Sequence, residues 1–148
     1  MATTATAPLF VDALCTALRL RAGLSGVTIF SAPPGADVTP EAIVFVDCVD
    51  NIEWGAIGKT RQNTEYVWSA VIRVSKPGAG ETIAKTARDR VYAVLNELKD
   101  ELRITPQQGV TNVYHGLVSR ETLRQRMSDG DRLAWVELDI RVKGRVGT

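Results

Sequence analysis

Apolar residues along the chain switch between two periods, and the switches mark out its elements. Leu9, Phe10, Ala13, Leu14, Ala17 and Leu18 recur three and four apart, the spacing of one helical face. Pro8 suits a first helical turn, Arg19 and Arg21 suit the negative end, and Gly23 offers a stop. A helix is therefore expected over Pro8–Ala22, preceded by a flexible tail at residues 1–7. Val27 to Ser31 reads as a short strand, broken by Pro33-Pro34-Gly35. Residues 42–49 are an apolar run of strand length, which Asn51 to Ile57 extend after a bend, and residues 58–65 read as a polar turn.

From Tyr66 the period is two. Tyr66, Trp68, Ala70, Ile72 and Val74 alternate with Val67, Ser69, Val71 and Arg73, the mark of a half-buried strand. Lys76-Pro77-Gly78-Ala79-Gly80 turns the chain into its longest helix, about Glu81 to Leu102. Ile83, Ala87, Val91, Val94, Leu95, Leu98 and Leu102 make one stripe there, and Pro106 closes the segment. Two long strands follow, Thr111 to about Met127 and Arg132 to about Val146. They join at Ser128-Asp129-Gly130-Asp131, where Asp-Gly is a strong hairpin signal. The expected fold class is α+β: an antiparallel or mixed sheet, two helices packed on one face, and a long C-terminal β-hairpin. The hairpin reads as a ribbon projecting past its sheet and covered by a neighbour.

Composition narrows the classes. The chain has 148 residues, which suits a single domain over 1–148, and it is 45% hydrophobic and 24% charged, which is globular. A net charge of +1 argues against a protein that lives on a nucleic-acid backbone. No stretch approaches the roughly 20 apolar residues of a membrane span, and the first residues do not form a signal peptide. Cys15 and Cys48 make neither a metal spacing nor a disulfide framework, and are expected as small hydrophobes in a reducing compartment.

The motifs that suggest chemistry fall short of it. Gly58-Lys59-Thr60 matches the end of a phosphate-binding loop, but Glu53 stands where the first glycine belongs. His115 is the only histidine and sits in a predicted strand with no marked nucleophile. Asp47, Asp50 and Glu53 lack the dense oxygen-ligand spacing of a calcium loop. No catalytic, cofactor or metal residue is assigned, and no enzyme activity is expected.

Charge is distributed unevenly instead. Residues 22–58 carry five acidic residues and no Lys or Arg, whereas residues 119–148 carry seven basic and five acidic ones. Arg120, Arg124, Arg126 and Arg132 lie near the hairpin tip, with Trp135 on the polar side of the return strand. These residues, with Asp47, Asp50 and Glu53, are the candidate contacts of a head-to-tail assembly, in which one subunit's acidic segment meets the next subunit's basic hairpin.

The order of elements resembles the tail terminator (tail completion, or minor tail) proteins of long-tailed bacteriophages. The resemblance runs through the opening helix, the Ala42–Cys48 strand, the Tyr66–Ser75 strand, the helix Glu81–Leu102 and the hairpin ending Ala134-Trp135-Val136-Glu137-Leu138-Asp139-Ile140-Arg141-Val142, and so covers nearly the whole chain. It implies a hexameric ring of identical subunits that caps the tail tube and ends its growth. The implied partners are the major tail tube protein and a head–neck connector, with the genome passing through the ring. It places the protein at the tail–neck junction of a virion made in the bacterial cytoplasm, with no cofactor and no catalytic residue. Other neck, head-completion or tube proteins share this description. A small nucleic-acid-binding domain is the alternative from another class.

Overall fold

Burial of each apolar stripe explains where the helices lie. In a computed structural model, which describes residues 6–35, 40–54, 61–128 and 130–147 and their side chains except at 51–54, 61–63, 128, 146 and 147, helix α1 spans Ala7–Arg19 and buries Phe10, Val11, Leu14, Cys15 and Leu18. It ends three residues before the expected stop. Arg21 takes an extended backbone and pairs with Glu97 at 2.8 Å and Glu101 at 3.2 Å, a tie that continued helix would break. Gly23 is not the helix stop; it sits in a single 3-10 turn, Ala22–Leu24. Thr6 and Ala7, expected in a flexible tail, are instead packed against the sheet. Thr6 and Ala7 are buried, the Thr6 hydroxyl shares a 3.0 Å hydrogen bond with the Tyr66 hydroxyl, and Trp68 Nε1 donates to the Ala7 carbonyl at 3.2 Å.

Five strands follow the period-two segments: β1 (Thr28–Phe30), β2 (Glu41–Trp54), β3 (Arg61–Pro77), β4 (Val113–Ser128) and β5 (Asp131–Gly147). Helix α2 (Glu81–Ile104) lies between β3 and β4 in sequence. The sheet order is β1-β2-β3-β5-β4. β1 runs parallel to β2 and every other pair is antiparallel, so the sheet is mixed. α2 packs across β3, β5 and β4, and α1 packs against β1 and α2. One cluster joins both helices to Ile43, Phe45, Tyr66, Ala70, Ile72, Val74, Val136, Leu138 and Ile140. Among the described residues the other face of the sheet carries no helix.

Two expectations about the strands need correction. Residues 61–65 are strand rather than turn: Glu65 pairs with Asn51 on one side and Lys143 on the other. Their backbone groups are satisfied by two neighbours, so polar side chains did not prevent pairing. The hairpin is not a projecting ribbon either. β5 pairs with β3 from Asp131↔Pro77 to Gly147↔Arg61, and Gly78 N–H donates to the Gly130 carbonyl at 2.7 Å, so the tip ends level with its sheet. Ser128↔Asp131 leaves a two-residue Asp-Gly connection with Gly130 at φ 78°, the left-handed conformation such turns require.

Close packing joins the first helix to the last hairpin. Gly116 on β4 faces Phe10, and a Cβ there would stand 2.6 Å from Phe10 Cζ. Phe10 meets Tyr66 edge to face at 6.5 Å. A second link is electrostatic: Glu41 accepts from Arg90 at 2.8 Å and from Lys76 at 3.1 Å. Burial pushes the Glu41 carboxyl up, but these two cations outweigh it and leave it below the ordinary carboxylate value.

Two outcomes follow for stability. Gly116→Ala forces Phe10 off its place and should cost about 1–3 kcal/mol, the usual penalty of overpacking, read as a lower urea midpoint with unchanged slope. Because Glu41 has a lower pKa folded than unfolded, its contribution is present above the unfolded value of about 4.3 and is lost as pH falls through the folded value. Glu41→Gln should therefore lower stability at neutral pH and flatten the acid side of a stability–pH curve; an acid limb identical to that of the parent chain would show that the pair is inert.

Candidate functional site

Alternation alone would put Asp47 of β2 and Arg120, Arg124 and Arg126 of β4 under the helices, and a bulge ahead of each set turns them outward. In β2, Ile43 and Phe45 point under the helices, and strict alternation would send Asp47 after them. The register shifts between Phe45 and Asp47, so that Asp47 stands opposite Ser69 on the open face and Cys48 opposite Trp68 on the helix side. In β4 the register shifts between Val118 and Arg120. Val118, opposite Ile140, keeps the core face, whereas Arg120, opposite Asp139, takes the open one. Thr122, Arg124 and Arg126 follow it, opposite Glu137, Trp135 and Leu133.

The open face thus gathers several of the predicted residues in one molecule. A shallow groove of about 310 Å³ has Ser69, Val71 and Glu137 among its lining, with Asp47 on one side and Arg120 and Arg124 on the other. The expected separation into an acidic surface and a basic surface is therefore incomplete: Asp47 and two of the arginines share a groove. Arg124 forms a short ion pair with Glu137, and Trp135 Nε1 donates to the same carboxylate at 3.3 Å. The Arg124 hydrogen bond, then that of Trp135, hold the Glu137 carboxyl below its ordinary value. Ser69 Oγ donates to Asp139 at 3.1 Å, and Arg141 pairs with Glu65 at 3.0 Å. The face is also partly apolar. Val49 is 62% exposed, and Val46 and Leu117 are exposed too. Val67 and Val71, apolar residues on the polar side of their strand, are the sequence signal for this.

Other predicted residues lie elsewhere. Arg132 stands opposite Met127 on the helix side, bonded to the Asp131 carbonyl at 2.9 Å and lining a groove with Glu81 and Ala84. It shares that groove with Arg126 and stands apart from Arg120 and Arg124. Asp50 is on the helix side as well, 3.9 Å from Cys48 Sγ, so Asp47 and Asp50 face opposite ways. Glu53 pairs with Asn63 in the β2–β3 ladder, and its side chain lies outside the described residues, as does the Gly58-Lys59-Thr60 segment. Among the described residues no three His, Cys, Asp or Glu side chains converge as a metal site. His115 occupies the register position opposite Lys143 on the open face.

The two thiols are free and suppressed. Burial pushes Cys15 up to about 11. Burial, then the charge and hydrogen bond of Asp50, push Cys48 up to about 12. In a Cys15→Ala background, Cys48 should react with a thiol reagent at pH 8 far more slowly in the folded chain than in urea, where a free thiol has a pKa of about 8.5. Asp50→Asn should speed the folded reaction, each unit of pKa being about tenfold in thiolate. Equal rates in the two folded proteins would remove Asp50 as a cause.

No family model matches the chain, and no curated protein does. Among solved structures, a chain from a structure described as "Virion of native gene transfer agent (GTA) particle" is similar to it over 90% of this chain and 94% of its own, with a TM-score of 0.58 and 16% identity. At that identity the likeness is one of fold: the whole arrangement of two helices on one side of a mixed sheet recurs in a virion chain.

Proposed function

We propose that this chain is a structural protein of a phage-type particle, and within that class a tail terminator. The observation that carries the reading is the fold shared end to end with a chain of a gene transfer agent virion. Fold alone does not assign function; three features of this chain support the reading. The element order resembles that of tail terminators. The open sheet face holds charged side chains of both signs and exposed valines rather than a convergent set of nucleophile, base and oxyanion donors. The arginines gathered by the β4 bulge give the last hairpin a basic outer strand.

On this reading the protein forms a closed ring, six subunits in the terminators, set on the last ring of the tail tube. It blocks further addition of tube subunits and presents its other side to the head–neck connector. Its work is binding, and its specificity lies in surface shape and charge. Tails assembled without the protein should be irregular in length, and the added protein should restore a uniform length and the ability to join heads, scored by electron microscopy. If tails reach uniform length without it but fail to join heads, the chain is a neck component instead. If the protein is absent from purified particles, the structural role itself falls.

A further inference from the structure

Among the described residues the sheet ends in two long edges that pair with no further strand, and their charges are opposite. On one side, β1 pairs only with Ala42, Ile43 and Val44, so among the described residues no strand pairs with the outer side of β2 beyond Val44. Residues 46–54 carry Asp47, Asp50 and Glu53 and no Lys or Arg. On the other side, β4 pairs only with β5. Gly116 N–H donates to the Pro106 carbonyl at 2.8 Å, which covers the start of that edge and shows which amides point outward. Alternation continued through the bulge then sends the amides of Glu121, Leu123, Gln125 and Met127 outward. Residues 117–128 carry Arg120, Arg124 and Arg126 against Glu121 alone, and Glu121 is already paired with Lys99 at 2.6 Å.

We infer that the β4 edge of one subunit pairs with the β2 edge of the next copy of this chain, continuing the sheet from subunit to subunit. Three physical points lead there. An exposed edge of this length is a template for pairing unless something rejects the partner. A two-fold pairing of β4 with β4 would set Arg120, Arg124 and Arg126 against themselves, and like charges across a ladder are destabilising. Pairing β4 with β2 sets the same arginines beside Asp47, on the same open face, since a continued sheet keeps its faces. Direction agrees as well. With the order β1-β2-β3-β5-β4 and antiparallel neighbours from β2 to β4, β2 and β4 run in opposite directions. A neighbour placed by rotation about a ring axis therefore brings β2 alongside β4 as an antiparallel ladder. Two different surfaces meeting head to tail is the contact type that closes rings. The inference rests on the ring reading above and names the surfaces that make it.

Two charge-reversed variants test it. One carries Arg120→Glu and Arg126→Glu, so that both its edges are acidic; the other carries Asp47→Arg and Asp50→Arg, so that both are basic. All four positions are exposed, and thermal midpoints within a few degrees of the parent chain confirm folding. Native mass spectrometry at matched concentration should find the parent chain assembled, each variant alone monomeric, and an equal mixture of the two assembled again, because each acidic edge then meets a basic one. In the assembled parent chain the amides of Glu121, Leu123, Gln125 and Met127 should exchange slowly, and in either lone variant fast. If the parent chain forms rings and the lone variants form them too, the ring stands and the edge pairing is overturned. A mixture that stays monomeric while the parent assembles overturns it as well. A parent chain that remains monomeric, or stops at a two-fold dimer, overturns edge pairing together with spontaneous ring formation; the length of tails assembled without the protein then decides the particle role separately.

Discussion

The face on which each side chain of the long strands falls depends on a period of two that is reset three times, once in β2 and twice in β4. A strand of fourteen or sixteen residues has no freedom of its own once one position is fixed: every second residue goes under the helices. Phe45 under the helices would drag Asp47 there, and Val118 would drag Arg120. A buried unpaired charge costs several kcal/mol, far more than the ladder disruption of one extra residue. The bulges at Val46 and Ser119 resolve the conflict. They keep Ile43, Phe45, Gly116 and Val118 toward the core and turn Asp47, Arg120, Arg124 and Arg126 outward. The charged face is thus a consequence of core packing and of two local insertions.

The helices pack on one side only, and a few polar ties fix how they sit. Arg21 reaches from the end of α1 to Glu97 and Glu101 on α2, and Gln108 donates to Glu101 at 3.1 Å from the loop beyond. Glu41 at the start of β2 holds Arg90 of α2 and Lys76 of β3. These groups are partly exposed, so each pair is worth at most modest stability. Their effect is on register and angle, with the apolar cluster supplying the driving force. Phe10 against Gly116 leaves no room for a side chain and ties the first helix to the edge strand on which the arginines stand.

A one-sided sheet leaves a large mixed surface and two edges for other molecules. That geometry suits a protein whose function is to be surrounded by copies and partners. Affinity in such contacts comes from ladder hydrogen bonds and apolar anchors, while charge selects the partner and rejects the wrong register. In the groove between Asp47 and the β4 arginines, Trp135 and Arg124 are both tied to Glu137; ties of this kind lower the entropy lost when a partner arrives.

The amino-acid sequence by itself determined the helices, the hairpin and the fold class, because each rests on local regularities: the stripe from Ala87 to Leu102, the alternation from Tyr66 to Val74, and Asp-Gly between two alternating runs. It also pointed to Arg120, Arg124, Arg126 and Arg132 as one group, which strand pairing then divided between the two faces. Tertiary structure alone decided the rest. Residues 61–65 became strand because β2 and β5 flank them, a pairing at long sequence distance that their polarity does not encode. The hairpin lost its expected projection because β3 extends as far as its tip. Arg132 turned to the helix side because its parity in β5 is that of Val136, and Asp47 rather than Asp50 took the open face because the bulge before Asp47 reset the phase of both. Side-chain chemistry is written residue by residue; which face and which neighbour each side chain meets is set by strand pairing across the sheet.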